Sequence, residues 1–307
     1  MELSLIIPVF NEELTLNEFY PRARKVLDSI TADHEMIFIN DGSKDRTLEL
    51  LQQIASQDSQ VKYIDLSRNF GHQLAVTAGL DNASGRRVCI IDADLQDPPE
   101  LITALYNKMD EGFEVVYAKR NSREGETAFK KWTAKAFYRI LKYMTTIDIP
   151  VDSGDFRIID QKVVQQLRRM PERNKYIRGQ IAWVGFRQTH VLYDRQERFA
   201  GSTGYNFRKM LRLALDGITS FSNTPLKFVT YLGLFISIIA LLLFFYVLYS
   251  MFVLEDTVPG WGSLMVSILF LGGIQMVAIG IIGEYLSRMN QNLLNRPAYI
   301  VQDTNII

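Results

Sequence analysis

Several absences narrow this 307-residue chain before any motif is read. One cysteine, Cys89, permits no intramolecular disulfide, and its apolar neighbours suit a core thiol. The 34 Lys and Arg residues are offset by 34 Asp and Glu, so the whole chain has no electrostatic case for nucleic acid. There is no internal repeat and no low-complexity tract. The N-terminus starts a strand-like run almost at once, without the basic and apolar regions of a signal peptide. Charge is also scarce in two long apolar stretches, Leu226 to Leu254 and Gly262 to Leu286, which hold only Lys227 and Glu284 near their ends. Their centres hold no Lys, Arg or Asp, and Gln275 is the main polar interruption before Glu284. Each exceeds the ~20 residues needed to cross a ~30 Å hydrocarbon core at ~1.5 Å per residue. A buried hairpin in a soluble domain gives similar runs, though rarely two so long.

What remains is about 225 residues before the apolar stretches, enough for one large α/β domain. Lys and Arg gather at Lys119–Lys142 and Arg195–Arg212, whereas Glu255 to Gly262 has none. Cationic flanks stay in the cytoplasm, so the large domain, both termini and the C-terminal tail are expected there, with a short loop outside. Gly272, Gly273, Gly280 and Gly283 in the second stretch suit close helix approach, within one hairpin or between copies.

The large domain alternates short apolar runs with helical patterns. Ser4 to Phe10, Met36 to Ile39, Val61 to Leu66, Val88 to Ile91 and Glu114 to Ala118 read as strands covered on both faces. Helical stretches fall between them, and Pro98-Pro99 opens one where a missing N–H costs least. This order predicts a mostly parallel sheet with helices on both faces. Ligands of such sheets bind beyond the carboxyl ends of the strands, where Asn11-Glu12, Asp41 and Asp92/Asp94 all fall.

Asp92-Ala93-Asp94-Leu95-Gln96 offers carboxylates two residues apart and an amide two further on, a hard-oxygen set for Mg²⁺ or Mn²⁺. Such a cation neutralises a diphosphate leaving group. Helix capping, for which Asp97 is well placed, is the plainer use of acidic residues here. Asp41 in Asn40-Asp41-Gly42-Ser43 is equally a turn residue, or a carboxylate able to accept the N3–H of a uracil.

Four motifs follow strands in order: Pro8-Val9-Phe10-Asn11-Glu12, Asn40-Asp41-Gly42-Ser43-Lys44-Asp45, Arg68-Asn69-Phe70-Gly71, and Asp92 to Pro99. The set resembles the family-2 glycosyltransferases of GT-A fold. Within them it is most similar to the polyprenyl-phosphate sugar transferases, the dolichol-phosphate mannose synthase-like group and its bacterial GtrB-like glucosyl members. The resemblance implies a cytosolic GT-A domain over 1–204 and a juxtamembrane amphipathic helix over 205–225. Two membrane helices within 226–290 and a cytosolic tail over 291–307 complete the expected plan. It further implies that Pro8, Val9, Asn11, Glu12, Asp41, Gly71 and Asp92 line a nucleotide-sugar pocket, and that Asp94 and Gln96 ligate the metal. Gly71 fits a close approach to the nucleotide or a turn. His72 fits a structural or pocket-lining role.

On the acceptor side, Glu126 to Thr146 mixes Lys and Arg with aromatic residues at helical spacing, suiting an anionic headgroup layer or a solvated helix face. Tyr205 to Phe221 is a second such segment. The family pattern implies Arg120, Arg123, Lys131 and Arg157 at an acceptor phosphate, and Asp155 in Ser153-Gly154-Asp155-Phe156-Arg157 as the catalytic position ahead of Asp152. Asp155 has several readings: orienting the acceptor, balancing Arg157 or helping hold the metal, with proton removal needed only from a monoanionic acceptor. One departure stands out. Arg198-Phe199-Ala200-Gly201-Ser202-Thr203-Gly204-Tyr205 has glycine where the family has lysine, leaving Arg198 and Thr203 to approach the diphosphate.

The expected reaction is inverting transfer of one hexose, glucose first and N-acetylglucosamine second, from a UDP-sugar to undecaprenyl or another polyprenyl phosphate. The lipid-linked product suits decoration of an envelope polysaccharide or teichoic acid. The expected site of action is the bacterial plasma membrane, and the resemblance implies a tetramer. A processive polysaccharide synthase is disfavoured, since its Gln-x-x-Arg-Trp motif is absent. A membrane-anchored nucleotide-sugar sensor has only Gly204 in its support, and a flippase uses only the hairpin.

Overall fold

The computed structural model describes residues 1–121, 153–173, 175–194, 224–249 and 260–306. Its centre is a sheet of eight strands: β1 Leu3–Val9, β2 His34–Asn40, β3 Val61–Leu66, β4 Arg87–Ile90, β5 Val115–Arg120, β6 Ser153–Asp160, β7 Gln188–Tyr193 and β8 Val301–Thr304. Their order across the sheet is β7-β5-β6-β4-β1-β2-β3-β8. The strands from β3 to β4 pair in parallel, as the alternating sequence predicts. Beyond them the sheet is mixed, because β6 runs antiparallel to both β4 and β5, and β8 antiparallel to β3.

Every residue of β1 and β2 is buried, which accounts for their nearly unbroken apolar runs. Alternate residues serve opposite faces. Leu3, Leu5 and Ile7 pack with Leu16, Phe19 and Leu27 of helix α1 (Leu16–Ile30), Leu51 of α2 (Thr47–Gln57), and Ile102 and Leu105 of α4 (Leu101–Met109). Ile6, Ile37 and Ile39 face the other way, towards α3 (His72–Asn82), α5 (Gln161–Arg168) and α6 (Ile177–Val184). Each fully buried Leu, Ile or Phe contributes about 1.5–3 kcal/mol of burial free energy. α3 lies close enough that a Cβ on Gly79 would fall 2.3 Å from a methyl of Ile6.

One buried polar knot ties the opposite end of the sheet. The Ser4 hydroxyl donates to Glu35 at 2.6 Å, Lys62 Nζ donates to the other Glu35 oxygen at 2.6 Å, and the Ser84 hydroxyl adds a third bond at 2.7 Å. Burial raises the Glu35 carboxyl pKa, but Lys62 and the two serines outweigh it and hold it low.

The two apolar stretches form helices α7 (Thr224–Tyr249) and α8 (Trp261–Leu293). α8 runs seven residues past the Leu286 expected from hydropathy. Both contain windows long and apolar enough to cross a membrane, with none of either window buried against protein. So much exposed apolar surface calls for an apolar solvent or partner. Among the described residues, Cβ atoms built on Gly272, Gly273, Gly280 and Gly283 would meet nothing within 4 Å. The expected C-terminal tail is not a separate appendage: β8 closes the β3 edge of the sheet. Ser67 N–H donates to Ile300 O at 3.0 Å, and the Tyr63 hydroxyl to Asp303 at 2.8 Å.

Candidate active site

The topology brings the ends of several strands to one edge. β1, β2 and β4 are parallel and finish there, and β5 and β7 finish there with Arg120 opposite Tyr193. β6 is antiparallel and begins there. Because Ile90 pairs with Arg157, Asp155 lies just beyond the end of β4, alongside the Asp92 loop.

On the β1–β2 side, backbone groups are saturated by short polar side chains. Asn11 adopts a left-handed φ of 56°, a conformation that asparagine tolerates better than most residues. Its N–H donates to Ser43 Oγ at 2.9 Å, and its side-chain oxygen accepts Lys44 N–H at 2.8 Å. Glu12 N–H donates to Thr47 Oγ1 at 2.9 Å, while its carboxylate accepts the Thr15 hydroxyl at 2.6 Å. Asp41 is 4 % exposed, and its two oxygens accept the amides of Phe70 at 2.7 Å and Gly71 at 2.9 Å. Burial raises its pKa against the pull of those amides. Gly71 has φ 101°, and a Cβ there would meet nothing within 4 Å. The backbone conformation requires glycine, and among the described residues no atom crowds the space beside it.

The acidic loop after β4 is turned by Leu95, buried yet held at φ 59°. A left-handed leucine is strained; here it separates Asp94 from Gln96, whose N–H donates back to Asp94 at 3.1 Å. Among the described residues, no group of three or more His, Cys, Asp or Glu is arranged to hold a metal ion. Asp94 and Gln96 fit a divalent cation as hard oxygen donors, with further ligands coming from a bound phosphate. Asp97 is buried and is not a simple helix cap; it accepts the Tyr193 hydroxyl. Burial and Asp97 push the Tyr193 pKa up to about 12.

At the centre of the edge, His72 joins the two acidic motifs. Its Nε2 lies 3.0 Å from Asp155, and its Nδ1 3.7 Å from Asp92. Asp155 also accepts Arg178 Nε at 2.6 Å and lies 3.5 Å from the Gln73 amide nitrogen. Burial raises the Asp155 pKa, but Arg178 and His72 hold it well below the usual carboxylate range. For His72, burial lowers the pKa and the two carboxylates more than reverse that, to about 9. Burial pushes Asp92 up to about 6, with Asp155, Asp94 and Asp97 acting against His72. The cluster is therefore charged as a balanced set at neutral pH.

Arg157 does not occupy the exposed position expected of a phosphate ligand. It is 3 % exposed, and its guanidinium donates to the carbonyl of Gly154 at 2.9 Å and towards that of Asp155 at 3.4 Å. The salt-bridge partner of Asp155 is Arg178, a residue the sequence patterns did not single out. Arg120 ends β5 near Gly154 and Asp97, with its Nε buried and unpaired. Arg123, Lys131, Asp152, Arg198, Thr203 and Gly204, with the segments 126–146 and 205–221, lie outside the described residues.

This edge, acidic at its centre and set beyond parallel strand ends, places the molecule among GT-A enzymes. Residues 4–168 match Glycosyl transferase family 2, more than half of the chain, and the protein belongs to that family. It is 50 % identical over 302 residues to the uncharacterized glycosyltransferase YkcC of Bacillus subtilis, covering 98 % of this chain and 94 % of that one. It is 49 % identical over 303 residues to the uncharacterized glycosyltransferase sll0501 of Synechocystis, covering 99 % and 95 %. The SfII prophage-derived bactoprenol glucosyl transferase of Shigella flexneri is 42 % identical over 305 residues, covering 99 % of both.

Proposed function

We propose that this glycosyltransferase moves one hexose, most readily glucose, from a UDP-sugar to a polyprenyl phosphate at the membrane. The observation that carries the reading is His72 bridging Asp92 and Asp155, which makes the acidic loop and the β6 loop one continuous site. The end-to-end similarity to a bactoprenol glucosyl transferase supports the acceptor class and the sugar. The two unburied apolar helices support membrane attachment. β8 supports a topology with the catalytic domain and the C-terminal tail on one side, taken here as the cytosol of a bacterial cell.

In this reading Pro8, Val9, Asn11, Glu12 and Gly71 line the nucleotide pocket. Asp41 braces the Phe70-Gly71 turn and accepts the uracil N3–H on a remaining lone pair. Asp92 faces the ribose and phosphates; Arg198 and Thr203 approach the diphosphate. Asp94 and Gln96 would hold Mg²⁺ or Mn²⁺, which supplies positive charge opposite the leaving diphosphate. Arg120, Arg123 and Lys131 bind the acceptor phosphate, and Arg157 braces the Gly154-Asp155 loop beside them.

An acceptor phosphate has its second pKa near ~6 and is largely dianionic at neutral pH. Its oxygen attacks the anomeric carbon as the bond to UDP breaks, inverting an α-linked sugar to a β-linked product. No strong base is required. Asp155 is suited to another task, because a carboxylate held far below neutral pKa is a poor proton acceptor. Its task is to position Arg178 and His72, whose positive charges face the reacting phosphates.

The test supplies purified protein with undecaprenyl phosphate, Mg²⁺ or Mn²⁺, and labelled UDP-glucose or UDP-N-acetylglucosamine in separate reactions. A lipid-extractable product from UDP-glucose is expected. Product from UDP-N-acetylglucosamine alone would change the sugar. UDP binding without any product would favour a sensor, with Gly204→Lys the first variant to try.

A further inference from the structure

A cavity of about 500 Å³ lies at the C-terminal end of α8, away from the acidic loop. Arg68, Arg173 and Arg296 line it together with Leu74, Leu294 and Ile300, and among the described residues no Asp or Glu takes part. Arg68 stacks over the Phe70 ring at 4.0 Å and donates to the Asn69 carbonyl at 3.1 Å. Arg173 Nη2 donates to the Pro297 carbonyl at 2.9 Å, at the start of the return to β8. These partners are neutral, and among the described residues none of the three arginines forms an ion pair. Like charges around one cavity repel. The C-terminus of α8 offsets them with about half a negative charge, and the Asp41 carboxylate acts on Arg68 from outside the cavity.

The position of the cavity narrows the missing anion. The apolar window of α8 runs from Phe270 to Leu293, so Gln291 and Leu294 in the cavity wall mark the end of a helix able to span a bilayer. A membrane around that helix would put the cavity at one headgroup layer. Planar guanidinium forks match phosphate oxygens two at a time, and the leucine and isoleucine lining suits the apolar base of a lipid. We propose that this cavity binds the phosphate of an anionic phospholipid headgroup through Arg68, Arg173 and Arg296. Arg68 leads into the turn that Asp41 holds by the Phe70 and Gly71 amides, so a bound headgroup would also steady that turn. The steadying rests on the donor-side reading above, whereas the binding does not.

The test uses the full chain purified in neutral detergent and incubated with phosphatidylglycerol or phosphatidylcholine. Retained lipid is counted by native mass spectrometry, without turnover. Wild type is expected to keep one phosphatidylglycerol that R296Q holds roughly tenfold more weakly, the loss of a charge-assisted contact. Arg296 makes no hydrogen bond among the described residues, so R296Q removes no internal contact; R173Q/R296Q is expected to weaken retention further. Equal retention of the two lipids by wild type, or unchanged retention by R296Q, overturns the site. Inorganic phosphate is expected not to displace the lipid at millimolar concentration. Displacement there would identify free phosphate as the ligand and overturn the lipid assignment.

Discussion

On the side of the edge proposed to take the nucleotide, Asp41 is held by two backbone amides, whereas on the proposed acceptor side Asp155 is held by a guanidinium and an imidazole. The two carboxylates are both mostly buried, yet their pKa values move in opposite directions. Amides offset part of the cost of burying a charge; fixed cations reverse it. Burial is the largest influence on Asp41 and on Asp92, and it outweighs the nearby charge of His72, which pulls both of them down. The acceptor side already carries its cations.

The largest effect should come from removing a proposed metal ligand. Asp94→Ala is expected to lower divalent-dependent turnover by roughly 10²-fold or more, several kcal/mol of charge stabilisation, while the protein stays folded and membrane-bound. Unchanged turnover would remove Asp94 from the metal site. Next, Arg178→Gln leaves Asp155 without its guanidinium. Asp155 and Arg178 are 13 % and 26 % exposed, so a loss of about 2–3 kcal/mol is expected, below the ~3–5 for a fully buried pair. In a thermal melt the Asp155→Asn/Arg178→Gln double variant should be more stable than Arg178→Gln alone; additive losses would mean the pair is not coupled. Kinetically, Asp155→Asn should lower kcat without abolishing the acidic limb of the pH profile, since the role proposed for the carboxylate is positioning and not proton transfer. Disappearance of a pKa near neutrality would restore a proton-transfer role.

Gly71→Ala probes the nucleotide side alone. Space is available, so the cost is backbone strain of about 1–2 kcal/mol, read as weaker UDP binding in a titration. The smallest effect is His72's. Its folded pKa is raised from an ordinary 6.5 to about 9. Its stabilisation is thus complete below pH 6.5 and lost as pH rises through about 9. The melting-temperature gap between wild type and His72→Gln should shrink over that interval; a gap constant to pH 10 would mean the imidazole is uncharged throughout.

The comparison also marks how far sequence reading reaches. The parallel strands were legible because β1, β2 and β4 are buried on both faces and so written in Ile, Leu and Val. The loops after them were legible because strand ends are predictable from strands. β6 was seen as a motif, not a strand, since Ser-Gly-Asp-Phe-Arg opens it with polar residues. β8 left no hydrophobic trace: all four residues are exposed, and its pairing is backbone to an open edge. Arg178 and the bridging position of His72 were hidden for a different reason. Arg178 meets Asp155 from 23 residues away and His72 meets it from 83, and no local pattern records a meeting made by packing. The burial of Arg157 had a faint signal, its place between Phe156 and Ile158 in an alternating strand.

β8 changes what kind of object the membrane hairpin is. A tail that ended at α8 would leave the catalytic domain hanging from one strap, free to swivel. Here the chain passes through both apolar helices and is stitched back into the sheet six residues beyond Leu294. The hairpin is a handle fastened at both ends. Cutting the chain at Leu226 would therefore not release an intact enzyme from its anchor. It would also strip β3 of its outer partner and open an unpaired edge, so a soluble fragment should be rebuilt with residues 297–306 joined back on before its activity is compared with that of the whole.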